Sequence, residues 1–356
     1  MGITAHVDYS KKAMQAYKVG SLLAGRLSQE YKFGDFKSVI ISSIITTPYN
    51  DYTRSGVSRY GTPTEVEDET QELICTQDKA FAKTIDKGNA KDQQYLKKAG
   101  RVVALMLKEQ GIPMTDKYGF SVLSRKAGRI VGNTTALSTS YVCDHISEGT
   151  VYMDDEEVPQ DGRTLFITSA GYKMLRLSDE FTKADDLIKK SLVSGQVGEY
   201  DGMPVVKVPA GRWPKNVNFM IVHRSAACMP MKIKETRIHQ GPPGISGNLL
   251  EGRQYYDCFV FGKRACGIYV DVNTGSGGGT VTAAPTVSTA GVVTQSGASA
   301  IWATTDGSDP RYSKTRVAVA SGSAPEHKKG DTVRAYAEGS GDAFPSPAAD
   351  AVTASR

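Results

Sequence analysis

The chain has 356 residues, 40% of them hydrophobic and 23% charged, with a formal net charge of +5. That length suits two or three domains of ordinary globular composition. So mild a positive charge argues against sequence-specific nucleic-acid recognition, while it fits a surface that faces a polyanion. The five cysteines are scattered, odd in number and without a CxxC pair. They read as free thiols in a reducing cytosol, not as a disulfide framework or a zinc site. No stretch approaches the roughly 20 apolar residues that span a bilayer, and no N-terminal run has a signal peptide's apolar centre. Assembly in the cytoplasm, with no membrane partner, is therefore expected.

Residues 1–35 read as an N-terminal arm. A helix is predicted over Tyr9–Glu30, with Ala13, Met14, Tyr17, Leu22, Leu23 and Leu27 as its apolar positions. Gly20 and Gly25 weaken it, so it must pack on something else. Residues 36–86 change character. The β-branched run Phe36–Thr47 reads as a strand, and strand character resumes over Thr70–Ile85. Between them, Pro48–Glu69 is polar, glycine-bearing and without hydrophobic period. Two strands around so long an excursion make an extended hairpin. The excursion has no core of its own, so it is either mobile or laid on another surface.

The longest predicted helix is Asn89–Gly111, in the section 87–132. Asn89 caps it, and Tyr95, Ala99, Val102 and Met106 form an apolar stripe with Leu96, Val103 and Leu107 alongside. Gly111 and Pro113 are expected to end it. A helix of roughly 22 residues spans about 33 Å and, with so wide a stripe, lies across a sheet. Lys117–Val131 predicts a further helix or helix pair. Residues 133–250 and the returning stretch 251–272 alternate strands and helices. The strands fall at Thr164–Thr168, Met203–Pro209, Phe219–His223 and within Tyr255–Val270. A helix is predicted over Ser169–Leu192, a tight turn at Tyr200–Gly202 and a turn-rich connector at Gly241–Gly247. The fold class is α+β. Asn273–Gly279, NTGSGGG, reads as a flexible linker. Beyond it, 280–356 carries short alternating runs at Ala300–Thr304, Arg316–Ala320 and Thr332–Ala337, the pattern of a small β-sandwich.

No Walker loop, dinucleotide fingerprint, HExxH or nucleophile elbow occurs. Cys143-Asp144-His145 sit together, but neighbours in a strand point to opposite faces. The acidic run Asp154–Glu157 reads as a solvated turn. No catalytic, cofactor or metal residue is assigned.

The order of pieces carries a resemblance. A polar hairpin with Tyr52-Thr53-Arg54 near its tip leads to a strand ending at Ile85-Asp86 and then to the long helix. GIPMTDKYGFSVL, LFITSAGYKML, VGEYDGMPVVKVP, FMIVHRSAA and GRQYYDCFVFGKRACGIYV follow. This succession, over about Met1 to Val272, resembles the major capsid protein of tailed bacteriophages, a fold shared with herpesvirus capsid floors and encapsulins. YDGMPVVKVP at Tyr200–Pro209 and GRQYYDCFVFGK at Gly252–Lys263 are its most specific pieces.

The resemblance implies a spine helix in a peripheral domain, an axial domain over 133–250 and a hairpin loop that lies over a neighbouring subunit. Tyr52, Arg54, Arg59, Glu65, Glu67, Asp68 and Glu69 would then be intersubunit contacts, fixing register more than affinity. It implies a homo-oligomer of hexamers and pentamers in a virion, with a portal protein, a separate scaffolding protein and non-specific contact with packaged DNA as partners. Some relatives lock their shells with a lysine–asparagine bond from the loop tip. Tyr52–Glu69 holds no lysine, so non-covalent locking is expected. The capsid-like body begins within about 35 residues of Met1, so no cleaved N-terminal segment is expected.

IWATTDGSDPRYSKT, at Ile301–Thr315, is similar to the immunoglobulin-like module at the C-terminus of chitobiases and of many bacterial surface proteins. Asp306-Gly307 and Asp309-Pro310 set its turns. The resemblance implies an exposed decoration domain, with a host-surface glycan as a candidate ligand. Two alternatives share parts of the pattern: an encapsulin-like bacterial shell, and a carbohydrate-active enzyme with an accessory module.

Overall fold

The computed structural model describes residues 20–30, 38–44, 49–63, 65–66, 68–87, 99–178 and 196–355. The expected helical positions before Gly20, the capped start of the long helix at Asn89 and the end of the Ser169–Leu192 helix lie outside them. Within 20–30 the chain runs in turns, not helix. Gly25 has φ +81°, which no right-handed helix accepts. Leu22, Leu23 and Leu27 are nonetheless buried in the main core.

The hairpin expected from the sequence is present as an arm. Strand β1 (Ser38–Ile44) pairs antiparallel with β2 (Asp68–Ile74), from Ser38 opposite Ile74 to Ile44 opposite Asp68. The chain then breaks at Cys75–Thr76, and β3 (Gln77–Asp86) joins a different sheet. The single strand expected over Thr70–Ile85 is thus two.

Helix α1 (Ala99–Met106) does not stop at Gly111. It passes through a π-helical turn, Leu107–Gly111, into α2 (Ile112–Arg125). Gly111 keeps helical angles, φ −59° and ψ −56°. Pro113 falls in the first turn of α2, where its missing N–H is tolerated. The wider turn before it absorbs the break in the bonding ladder.

Next come β4 (Arg129–Asn133), α3 (Val142–Asp155), β5 (Arg163–Thr168), α4 (Ser169–Leu177), β6 (Gln196–Tyr200), β7 (Met203–Val208) and β8 (Val217–His223). A short strand β9 (Ala227–Cys228) leads to β10 (Met231–Gln240) and β11 (Gly247–Tyr256); β12 (Phe259–Val260) and β13 (Ile268–Asn273) follow. The connector 241–246 is the loop of the β10–β11 hairpin, closed by a bond from Gly241 N–H to the Gly247 carbonyl at 2.8 Å.

Two sheets organise the body, and they cross the boundary expected at 250. One runs β4-β13-β8-β5-β7-β6. Strand β13, expected with the returning peripheral strands, sits between β4 and β8 in it. The other runs β10-β11-β3 and carries the rod α1 on one face. Ile85, Val103 and Leu250 form the seam there, with Ala99, Val102 and Leu107 beside them. The described part of the long helix's apolar stripe, Ala99 to Leu107, therefore lies across a sheet; Tyr95 and Leu96 lie outside the described residues.

The six-stranded sheet is covered on both faces, which explains its near-continuous apolar strands. Along β5, Leu165 and Ile167 point into the core under α3 and α4, while Phe166 points into the core under α2. Asp201 (φ +50°) and Gly202 (φ +69°) make the tight turn between β6 and β7.

The C-terminal residues form β14 (Thr286–Val287), β15 (Val293–Thr294), β16 (Ala298–Thr304), β17 (Val317–Ala318), β18 (Thr332–Gly339) and β19 (Val352–Thr353). They pair as β14-β15 and β17-β16-β18-β19 around Val293, Ile301, Ala303, Val333 and Ala335. The linker before them is not a free tether. Asn273 N–H bonds the Asn216 carbonyl and Thr274 N–H the Asn133 carbonyl, both at 2.8 Å, and Gly279 N–H returns to the Asn273 carbonyl at 2.8 Å.

Candidate assembly surfaces

The arm presents two unlike faces because strand side chains alternate. Val39 and Ile41 turn inward onto Leu73, Cys75, Cys228, Phe259 and Phe261. Ile40 and Ile44 turn outward and are 59% and 65% exposed. Beyond them the tip leaves Tyr49, Tyr52, Val57, Tyr60 and Val66 in solvent. Apart from Tyr52, these bare apolar side chains are what the sequence reading missed, because it weighed the charges of a polar loop. A segment with low hydrophobic content can still gather its few apolar residues on one projection, and large exposed patches mark interaction sites.

The tip has local order without an interior. Thr53 N–H bonds the Arg59 carbonyl at 3.1 Å, and the Arg59 Nε bonds the Gly56 carbonyl at 3.2 Å. Tyr52 and Tyr60 meet edge to face at 5.0 Å. Of the expected contact residues, the structure brings Tyr52, Arg54 and Arg59 together at the tip, all exposed. Glu65 is exposed on the returning limb, and Asp68 and Glu69 stand in β2 opposite Ile44 and Ser43. Glu67 lies outside the described residues.

The arm is seated by side chains from far along the chain. Asp257, buried, accepts bonds from Thr76 N–H (2.8 Å), Thr76 Oγ1 (2.8 Å), Tyr118 Oη (2.7 Å) and its neighbour's Cys258 N–H (2.7 Å). Thr76 lies in the break between β2 and β3, so this carboxylate fixes where the arm leaves the β10-β11-β3 sheet. Burial, helped by the bond to Asp257, pushes the Tyr118 phenol up, and it remains a donor. Gln71 in β2 reaches the Val260 carbonyl at 2.9 Å and accepts from Gly262 N–H at 3.0 Å. The Lys263 Nζ donates to the Ile44 carbonyl. Burial pushes the Cys75 thiol up to about 11 and Cys228 to about 12. Both stay protonated at neutral pH and are packing residues, not nucleophiles.

A second clasp holds residues 20–22. The Asp116 carboxylate accepts from Ser21 Oγ (2.7 Å), Leu22 N–H (2.9 Å) and Arg212 Nη1 (2.9 Å). Arg212 also donates to the Gly20 carbonyl at 2.8 Å. Both charges are buried and each is satisfied by hydrogen bonds.

Cys143, Asp144 and His145 open α3, not a strand; Cys143 and His145 are buried and Asp144 is exposed. His145 Nδ1 lies 3.7 Å from the fully buried Asp271, which accepts from the Asn133 and Asn218 amides. Burial raises the Asp271 pKa and the two amides oppose it. This polar junction ties β4, β8, β13 and α3 inside the sheet. Asp154, the first of the acidic run, pairs with Arg163 at 2.7 Å. Among the described residues no three His, Cys, Asp or Glu side chains are grouped to hold a metal ion. None of the helices there is long and apolar enough to cross a membrane.

No model of a known protein family matches the sequence, and no curated protein matches it. Solved structures do match. A structure from Mycobacterium phage Che8 aligns with a TM-score of 0.60 at 17% identity, over 78% of this chain and 100% of the other. The mature capsid of bacteriophage PhiM1 aligns at 0.58 and 10% identity, over 76% and 92%. The head of Helicobacter pylori bacteriophage KHP40 aligns at 0.55 and 11% identity, over 76% and 94%. The chain has the fold of tailed-phage capsid structures.

Proposed function

We propose that the chain is a major capsid protein, the subunit of the icosahedral head of a tailed bacteriophage, enclosing double-stranded DNA. The observation that carries this is an arm with its own strands, an anchored base and no interior, in a chain with a capsid fold. Ile40, Ile44, Tyr49, Val57 and Tyr60 need a surface to cover them. A second copy of the chain supplies it, by a heterologous contact that closes into rings of five and six. On this reading the β1–β2 hairpin within 36–86 is the extended loop, the α1–α2 rod and the β10-β11-β3 sheet belong to the peripheral domain, and the six-stranded sheet forms the axial domain. Tyr52, Arg54, Arg59, Glu65, Glu67, Asp68 and Glu69 are intersubunit contacts. The role is structural, with no catalysis.

The solved capsids cover 76–78% of the chain, and the share they leave is the size of 280–356. We assign that segment as an immunoglobulin-like module on the outer surface of the shell. A scaffolding protein and a portal protein complete the assembly, packaged DNA touches the inner wall without base readout, and host-surface glycan is the candidate ligand of the module.

Expression of the full chain with its scaffold, followed by negative-stain microscopy, tests the reading. Closed particles of uniform diameter are expected, and nuclease-protected DNA inside virion particles separates a phage head from an enzyme-holding shell. A dispersed monomer at high concentration in the presence of the scaffold contradicts it.

A further inference from the structure

We infer that the C-terminal module is not an appended decoration but part of the seat of the arm, with Arg311 and Tyr312 as its docking key. The turn at Asp309-Pro310 aims these two side chains away from the module. The Asp309 carboxylate accepts from Arg311 N–H (3.0 Å), Nε (3.1 Å) and Nη2 (2.7 Å), so the guanidinium is held in one orientation. Its Nη1 then donates to the carbonyls of Ala127 (3.0 Å) and Gly128 (2.8 Å), at the corner between α2 and β4. Tyr312 Oη donates to the Lys126 carbonyl at 2.7 Å, and its ring is buried in the main core of the body. Phe344 enters the same core from another turn of the module, with the Arg125 guanidinium 5.8 Å from its ring centre.

The connection to the arm runs through residues 260–263. A side chain at Gly262 would lie 2.7 Å from the Tyr312 Cβ, so backbone and ring are in direct contact. On its other side this same backbone holds the arm: Gly262 N–H and the Val260 carbonyl bind Gln71, and Lys263 binds the Ile44 carbonyl. Elsewhere a cleft of ≈ 610 Å³ separates the stem of the arm from the module. Among the described residues the exposed Lys314–Glu72 pair, 4.0 Å apart, is the ion pair that spans it, and such pairs contribute little. The 260–263 strip is therefore the mechanical path by which module docking fixes the arm. A two-sided grip on one short strip couples what sits on either side of it.

Hydrogen–deuterium exchange on the full-length chain tests this. The double variant Arg311→Ala, Tyr312→Ala is expected to speed exchange in the arm, at Val39–Ile44 and Gln71–Ile74, on the order of tenfold through easier local opening. Faster exchange confined to 304–318 and 125–128, with the arm unchanged, overturns the inference. If the double variant does not fold, Arg311→Ala alone, which leaves the ring in the core, is read on the same segments with the same two outcomes. The measurement uses unassembled chain, so its result stands whether or not the chain forms shells. Only the consequence, that undocking the module impairs particle formation, rests on the capsid reading.

Discussion

The arm and the C-terminal module are both made of short antiparallel strands, yet they dispose of apolar side chains in opposite ways. The module closes Val293, Ile301, Ala303, Val333 and Ala335 over one another and then plugs Tyr312 and Phe344 into the body. The arm buries one face of its stem and leaves the other, and the large apolar side chains described at the tip, uncovered. A two-stranded ribbon is marginal in water by itself, so the arm's order depends on its seat at one end and, on the proposed function, on a second copy of the chain at the other. The difference separates folding from assembly: residues of the module should govern the stability of the chain, and residues of the tip should govern whether chains associate.

The largest expected effect breaks association alone. Tyr49→Ser, Val57→Ser and Tyr60→Ser together remove side chains whose burial stabilises a contact by about 1.5–3 kcal/mol each. Particles should disappear from sedimentation profiles while thermal unfolding of the chain stays where it was, because all three side chains are exposed within the chain. A lowered melting temperature with particles intact would reverse the assignment of roles. The converse change is Ile301→Ala in the module core. It should cost about 2–5 kcal/mol in denaturant unfolding, the usual range for truncating a buried isoleucine. Equal stability of the two proteins would mean that the module core is not closed.

The two regions also differ in how far the sequence discloses them. The β-branched run at 38–44 announces the arm, and the polar stretch behind it announces a loop without a core. What that loop uses for contact is less legible, because Tyr49, Val57 and Tyr60 are spaced with no period. The apolar stripe of the spine helix is plain, but Gly111 and Pro113 look like a stop. Local breaker chemistry lost there to a helix that continues through a π turn. Strand β10, MKIKETRIHQ, shows no apolar face because it is a charged edge strand paired only with β11. Asp309–Tyr312 reads as turn chemistry inside the module. Its partners are backbone carbonyls at 126–128, and a carbonyl leaves no mark on residue identity. The Asp116–Arg212 clasp joins residues 96 positions apart, which no local pattern reports.

A smaller effect sharpens the contrast at the linker. A flexible glycine tether would accept alanine anywhere. In this chain a Cβ at Gly278 would stand 2.4 Å from the Asn273 carbonyl oxygen, against backbone that cannot step aside. Gly278→Ala should therefore destabilise the chain by about 1–3 kcal/mol, the range for overpacking a fitted site. Gly277→Ala is a poor control because φ there is +75°. Insertion of residues into the arm tip, where the backbone is solvated, should by comparison leave unfolding unchanged.

The smallest expected effect is a pH dependence confined to the module. Partial burial would raise the Asp306 pKa, but Ser308 Oγ (2.5 Å), Ser308 N–H (3.0 Å) and Thr315 Oγ1 (2.7 Å) all donate to its carboxylate and hold it below the usual 3.8. The folded state thus binds this proton more weakly than the unfolded chain does. The stabilisation is present above the unfolded value and is lost as pH falls through the lower folded one. Acid titration monitored at Trp302, which packs under Arg316 at 4.6 Å in the same module, should show the module loosening below about pH 3.8. Asp306→Asn should flatten that part of the curve, since the amide oxygen still accepts bonds but does not titrate. If the wild-type and variant curves superimpose, the turn at 306–308 owes its shape to Gly307, with φ +76°, and not to the carboxylate.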